Sequence, residues 1–249
     1  MLRTILLTGV ALAAMSVPAL AADVSAAVAA NFTKPAEELG AAFTAKTGDT
    51  VTFSFGATGQ LYTQISQGAP FEVFLAADNK RPAQAVTEGH AVEGTVFTYA
   101  VGKVVLYSPT VDVTDGAAVL AANTFQHLSV ADPKTAPYGA AGMEVLEKLG
   151  LTDAVSSKIV TGENISQALQ FIDSGNAELG FVALSQVSDK PATQVWRVPA
   201  EDYSPILQDA VLTKAGEADP AAKAFLEFLR SDEAKAIIEK YGYEVGSAG

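Results

Sequence analysis

The chain has 249 residues, 49% of them apolar, and its 28 acidic against 16 basic side chains give a formal net charge of −12. That size and apolar content supply one large domain or two modest lobes with a true core. The charge argues against nucleic acid and anionic membrane surfaces as partners, which need Lys/Arg patches, but not against a small anion held by local donors. With no cysteine, a disulfide framework, a thiol nucleophile and a thiolate metal site are excluded.

The first segment is Met1-Leu2-Arg3, an apolar stretch from Ile5 to Val17, and Pro18-Ala19-Leu20-Ala21-Ala22. A short basic start, an apolar run below the roughly 20 residues of a spanning helix and an Ala-x-Ala site predict a cleavable export signal over residues 1–21 rather than a membrane anchor. The mature chain then starts at Ala22 and is soluble and exported, most simply to the periplasm.

Beyond it the pattern alternates. Val24 to Ala29 reads as a strand, and Lys34 to Thr47 as a helix with Pro35 in its first turn. Val51 to Phe55 is a strand, Gly59 to Gln67 a helix, Val73 to Ala76 a short buried strand, and Arg81 to Glu88 a helix stopped by Gly89. This βαβαβα run implies a parallel sheet with helices on both faces. Phe97 to Tyr107 is a long extended segment with Gly102 inside it, suited to begin in one lobe and end in another. Leu128 to Ala131 is a strand, Gly142 to Leu149 and Ser166 to Ser174 are helices, and Leu179 to Leu184 is a buried strand. Ile206 to Thr213 is a strand placed to return to the first lobe. Two tail helices follow, Ala221 to Leu229 with Phe225 and Phe228 on its apolar face, and Ser231 to Glu239 with Ser231 as its capping hydroxyl. The expected fold is α/β and two-lobed. Residues 22–99 and 205–249 form the first lobe and 100–204 the second, each a mixed, mostly parallel sheet flanked by helices.

Four strand-to-helix turns are rich in small and polar residues: Ala29-Ala30-Asn31-Phe32-Thr33, Gly56-Ala57-Thr58-Gly59-Gln60, Ala136-Pro137-Tyr138-Gly139-Ala140 and Gly162-Glu163-Asn164-Ile165-Ser166. Each offers unpaired backbone N–H groups and the positive end of a helix dipole, and small neighbours let a ligand approach the backbone. Asn31, Thr58 and Tyr138 add neutral side-chain donors. Any one turn alone reads as a plain N-cap or turn. Two in each lobe, converging on a cleft, would surround a compact anion. The second turn lacks the Gly-Lys-Ser/Thr ending of a P-loop, which argues against a nucleotide. An enzyme finds little support. The two histidines, His90 and His127, read as loop and strand-edge residues, and there is no Gly-x-Ser-x-Gly elbow and no His-x-x-x-His pair. Asp78 reads as a turn or cap residue, and the single Trp196 as packing near the lobe boundary.

Taken with Gln64-Ile65, Gly68 to Asp78, Tyr99 to Leu106, Asp132-Pro133, Glu163 to Ala168 and Leu179 to Leu184, these turns resemble the periplasmic molybdate-binding proteins of ABC importers, type II solute-binding proteins, over essentially the whole mature chain. The resemblance implies a periplasmic-binding-protein-like fold of type II, with a tetrahedral oxyanion held by backbone N–H groups and hydroxyls without a counter-charge. It matches Ala30 and Asn31 to the first ligand turn, Thr58 to a position usually held by serine, Tyr138 to a donor, and Ile165 to a valine whose N–H contacts the anion. Ala30 stands where some relatives carry a hydroxyl, and Ala183 where others carry a tyrosine, so the Tyr138 phenol is expected to replace that group. The implied ligand is molybdate or tungstate, with no cofactor, no bare metal cation, a membrane permease as partner and a monomeric state. Rim acids such as Glu37, Glu38, Glu144 or Glu147 would meet the permease. The alternatives are another tetrahedral oxyanion (sulfate, phosphate or chromate) or a small organic anion. A hydrolytic enzyme is the least favoured.

Overall fold

The computed structural model describes residues 21–245, so the predicted export signal, but for Ala21, and the last four residues lie outside the described part. The first stretch is β1 (Asp23–Ala29), α1 (Thr33–Thr47), β2 (Thr50–Gly56), α2 (Thr58–Ser66), β3 (Val73–Leu75) and α3 (Lys80–Thr87). The chain continues through β4 (Phe97–Gly102), β5 (Val104–Tyr107), α4 (Gly116–Ala122), β6 (Leu128–Ala131), α5 (Pro137–Lys148) and α6 (Thr152–Val155). It closes with β7 (Ile159–Gly162), α7 (Ile165–Asp173), β8 (Leu179–Ala183), β9 (Val195–Arg197), β10 (Ile206–Leu212), α8 (Pro220–Phe228) and α9 (Asp232–Lys240).

The strands form two five-stranded sheets, β2-β1-β3-β10-β4 and β7-β6-β8-β5-β9. In the first, β1 runs parallel to β2 and β3, while β10 is antiparallel to β3 and β4. In the second, β6 is parallel to β7 and β8, while β5 is antiparallel to β8 and β9. Each sheet is therefore mixed and mostly parallel, as expected: four of its five strands run the same way and one return strand, β10 or β5, opposes them. The long extended segment divides at Lys103. Ala100, Val101 and Gly102 still pair with β10 in the first sheet, so the crossing falls after the expected boundary at residues 99/100. The second crossing lies between Arg197 and Ile206.

Local chemistry sets the helix ends. α1 stops where Gly48 takes φ 85°, a left-handed value that costs glycine little. Asp219 and Ser231 accept the N–H groups of Ala221 and Ala234 and cap α8 and α9. Those tail helices close over the first sheet. Phe225 is fully buried, its ring edge-on to Phe43 with centroids 5.3 Å apart.

Two expectations need correction. α5 begins at Pro137 and not at Gly142, because Pro137 supplies the fixed φ of a first helical residue. Gly139 is needed there for a close approach: a Cβ on it would stand 2.1 Å from the carbonyl oxygen of Ala131 on β6. Trp196 lies on β9, an edge strand of the second sheet, where its ring covers Gly116, and not at the lobe boundary.

Candidate functional site

The four turns meet. β1, β2, β6 and β7 each end at the start of α1 (through a short turn, Ala30–Phe32), α2, α5 and α7 in that order. Between these helix starts lies a small cavity of about 10 Å³ whose walls include Ala30, Asn31, Thr58, Tyr138 and Ile165, the five positions singled out in the sequence. All five are buried, none more than 5% exposed. The remaining wall is alanine, glycine and proline, and no charged side chain lines it. An anion there meets the positive ends of helices from both lobes.

The hydrogen bonding leaves donors free where the cavity needs them. The N–H groups of Asn31, Thr58, Tyr138 and Ile165 have no protein acceptor among the described residues. At α7 the reason is local. The Asn164 carboxamide oxygen accepts from Ser166 N at 2.9 Å and Gln167 N at 3.1 Å, so the cap satisfies the second and third N–H groups and spares that of Ile165. At α2, Thr58 Oγ1 accepts from Ala77 N at 2.9 Å. That bond fixes the hydroxyl and leaves its proton without an acceptor among the described residues, so Thr58 presents both an N–H and an O–H. Ala30 brings no side-chain donor and forms wall.

Two side-chain expectations are overturned. The Asn31 carboxamide is not a ligand donor: Nδ2 donates to Gln208 Oε1 at 2.7 Å and to Tyr243 Oη at 2.8 Å. Both its hydrogens are used inside the protein, and the backbone N–H is what Asn31 offers the cavity. The Tyr138 phenol does not replace the tyrosine missing at Ala183. Its hydroxyl lies against Gly102 at the crossing between the sheets, so Tyr138 serves the cavity through its helix-start N–H. Burial, with the phenols of Tyr243 and Tyr99 nearby, holds the Tyr138 hydroxyl well above the usual range, and burial pushes Tyr243 up to about 12. Both stay neutral at physiological pH. Glu163, the acid nearest these turns in sequence, is exposed and forms no part of the wall.

Ser166 of the fourth turn, with Ser185 and Tyr243, which the sequence reading did not single out, holds the first turn in place. Ser185 Oγ donates to Asn31 O at 2.8 Å, Ser166 Oγ donates to Ala30 O at 3.2 Å, and Tyr243 Oη lies 2.9 Å from both Asn31 O and Ser185 Oγ. Gln208 and Tyr243 stand 177 and 212 positions from Asn31, so no local motif marks them. Ser166 and Ser185 come from the second lobe, and Gly59 N donates to Thr135 O across the cleft at 2.9 Å. The lobes are closed on each other. Of the expected rim acids, Glu38 is bonded to Lys240 at 2.8 Å and Glu144 accepts from Ser204 N at 2.6 Å.

The sequence profile described as "Bacterial extracellular solute-binding protein" matches residues 24–244. The chain is similar to "Molybdate-binding protein ModA" of Rhodobacter capsulatus, 56% identical over 229 residues, covering 92% of this chain and 91% of that protein. It is 54% identical to the protein of the same name from Azotobacter vinelandii, covering 90% and 91%. Among solved structures, an Azotobacter vinelandii periplasmic molybdate-binding protein superposes with a TM-score of 0.86 at 39% identity, covering 90% of this chain and all of that one. Matched by that profile over residues 24–244 and by relatives covering about nine-tenths of it, the chain belongs to the bacterial extracellular solute-binding protein family.

Proposed function

We propose that this protein binds molybdate, and tungstate with it, in the periplasm and delivers the ion to the permease of an ABC importer. The observation that carries the reading is the cavity itself: a small space at four helix starts, with free N–H groups and one free hydroxyl and no charged side chain. A desolvated anion is costly unless its oxygens are hydrogen-bonded. Bonds to a charged acceptor contribute about 1.5–3 kcal/mol each, so a shell of about five neutral donors sustains tight binding without Arg or Lys. A wall of donors with no carboxylate also disfavours a protonated anion such as hydrogen phosphate, whose O–H would find nothing to accept it. The proposed shell is the N–H groups of Asn31, Thr58, Tyr138 and Ile165 with Thr58 Oγ1, while Ala30 sets the wall beside them. The names carried by the relatives at 54–56% identity support the choice of ion.

No organic anion fits this donor set as well. Carboxylates are commonly met by arginine and organic bodies by aromatic walls, and the cavity has neither an arginine nor a phenolic hydroxyl facing it. The test is thermal unfolding with molybdate, tungstate, sulfate or phosphate added separately. At about 100 times its dissociation constant a ligand adds about 2.7 kcal/mol to the folded state. The expected result is a large upward shift with molybdate and tungstate and little with the others. A shift with sulfate or phosphate alone keeps the fold and replaces the ion, and no shift with any of the four removes the reading.

A further inference from the structure

Tyr138 belongs to two places at once. Its N–H stands at the start of α5 on the cavity wall, while its side chain runs to the crossing between the lobes. There it packs on Gly102, the last residue of β4. A Cβ built on Gly102 would lie 2.0 Å from Tyr138 Oη and 2.9 Å from its Cζ, both far inside contact distance. Gly102 does not take a positive φ, so its backbone does not demand glycine. The demand comes from the ring. Tyr138 is 1% exposed, yet its hydroxyl has no hydrogen-bond partner among the described residues. Gln208 Nε2, 3.1 Å from the same built Cβ, is buried and equally without a partner. Tyr138 comes from the second lobe and Gly102 and Gln208 from the first, so this seat exists only when the lobes are together.

We propose that Tyr138 is a positioning residue that makes lobe closure depend on the bound oxyanion, its ring seated on Gly102 only in the closed arrangement. Burying two polar atoms without partners disfavours closure of the empty protein. An anion on the Tyr138 N–H and on the three other helix starts offsets that cost, because it binds the closed arrangement far better than the open one. Gly102 sets the depth of the seat, and through it how far α5 advances toward the first lobe.

This inference rests on the molybdate reading, and the experiment separates the two. Molybdate affinity is measured by calorimetry, and closure by small-angle X-ray scattering with and without molybdate. The proteins compared are the wild type, Gly102→Ala, and Gly102→Ala combined with Tyr138→Leu, which keeps the N–H and removes the ring. The alanine is expected to weaken affinity by about tenfold to a hundredfold, the size of a typical overpacking effect, and to abolish the ligand-induced contraction. The double variant is expected to bind about tenfold more tightly than the alanine alone and to contract again. A measurement on the wild type stands apart from folding of the variants. Nitration of Tyr138 by tetranitromethane, read by peptide mass spectrometry, is expected to slow about tenfold or more with molybdate present. Wild-type affinity in Gly102→Ala, no recovery in the double variant, or equal nitration with and without molybdate overturns the hinge role alone. A wild type that takes up no molybdate overturns both readings.

Discussion

Replacing Thr58 by valine removes one hydroxyl and keeps the branched shape. Two bonds are at stake, and they act on different observables. The Oγ1 proton, free among the described residues, is the only side-chain donor proposed for the oxyanion. A hydrogen bond to a charged acceptor contributes about 1.5–3 kcal/mol, and each 1.4 kcal/mol is tenfold, so molybdate affinity should fall by about tenfold to 150-fold. The second bond, Ala77 N to Thr58 Oγ1 at 2.9 Å, links two fully buried groups and is present with or without the ion. Its loss strands a buried N–H at a cost of about 1–3 kcal/mol to the folded protein. For a chain of this size that lowers Tm by about 2–4 °C for each kcal/mol. Calorimetry reads the first effect and unliganded thermal unfolding the second. Thr58→Ser separates them from packing, since it keeps both bonds and should stay well above the valine variant on both scales. A valine variant that binds molybdate within about twofold of wild type would refute the assignment, since a bond to a charged acceptor is worth far more than that.

Asn164→Ala strips the cap from α7 and should lower stability by about 1 kcal/mol, while releasing the Ser166 and Gln167 N–H groups it now occupies; chemical denaturation checks the first effect. Molybdate affinity should change by less than about threefold between pH 6 and 9, because no acid, base or histidine lines the cavity and the Tyr138 phenol at the crossing is held protonated by burial; a calorimetric pH series with a steep slope there would contradict the donor set. Glu38 is held below the usual carboxylate range by its bonds to Lys240 and Tyr241. Its folded value being the lower one, the stability it contributes is present above the unfolded carboxylate range and is lost as pH falls through the folded value. Glu38→Gln should therefore flatten the acid limb of the Tm–pH curve by a fraction of the ~1 kcal/mol upper bound for exposed pairs.

The site was legible in the sequence to the extent that it is made of local turns. Three of the four begin at a strand end and the third five residues past one; all carry small residues, and the donors they expose follow from helix geometry alone. The side-chain roles were not legible, because they depend on distant partners. Nothing near Asn31 announces that Gln208 and Tyr243 will take both of its amide hydrogens. Nothing near Tyr138 announces that its ring will find Gly102, although the glycine breaking the long extended segment was itself a visible signal. In the fold, strands with continuous apolar runs, such as Val73 to Ala76, stood out because both faces are buried. The edge strands β7 and β9 did not, since half-exposed residues blur their pattern. The helix α4 went unread because Gly116 to Ala122 is mostly alanine and shows no apolar stripe, and the start of α5 was hidden behind two glycines that packing explains and propensity does not.

A pocket whose donors are mainly peptide groups answers to mutation differently from one built of side chains. Substitution at Ala57, Ala77 or Ala136 cannot delete a backbone N–H. It can only add volume next to it. Genetic drift around such a pocket therefore alters the size of the ion accepted while the bonding chemistry persists. That gives a lineage a gradual route from one tetrahedral anion to another, with no intermediate that has lost the capacity to bind.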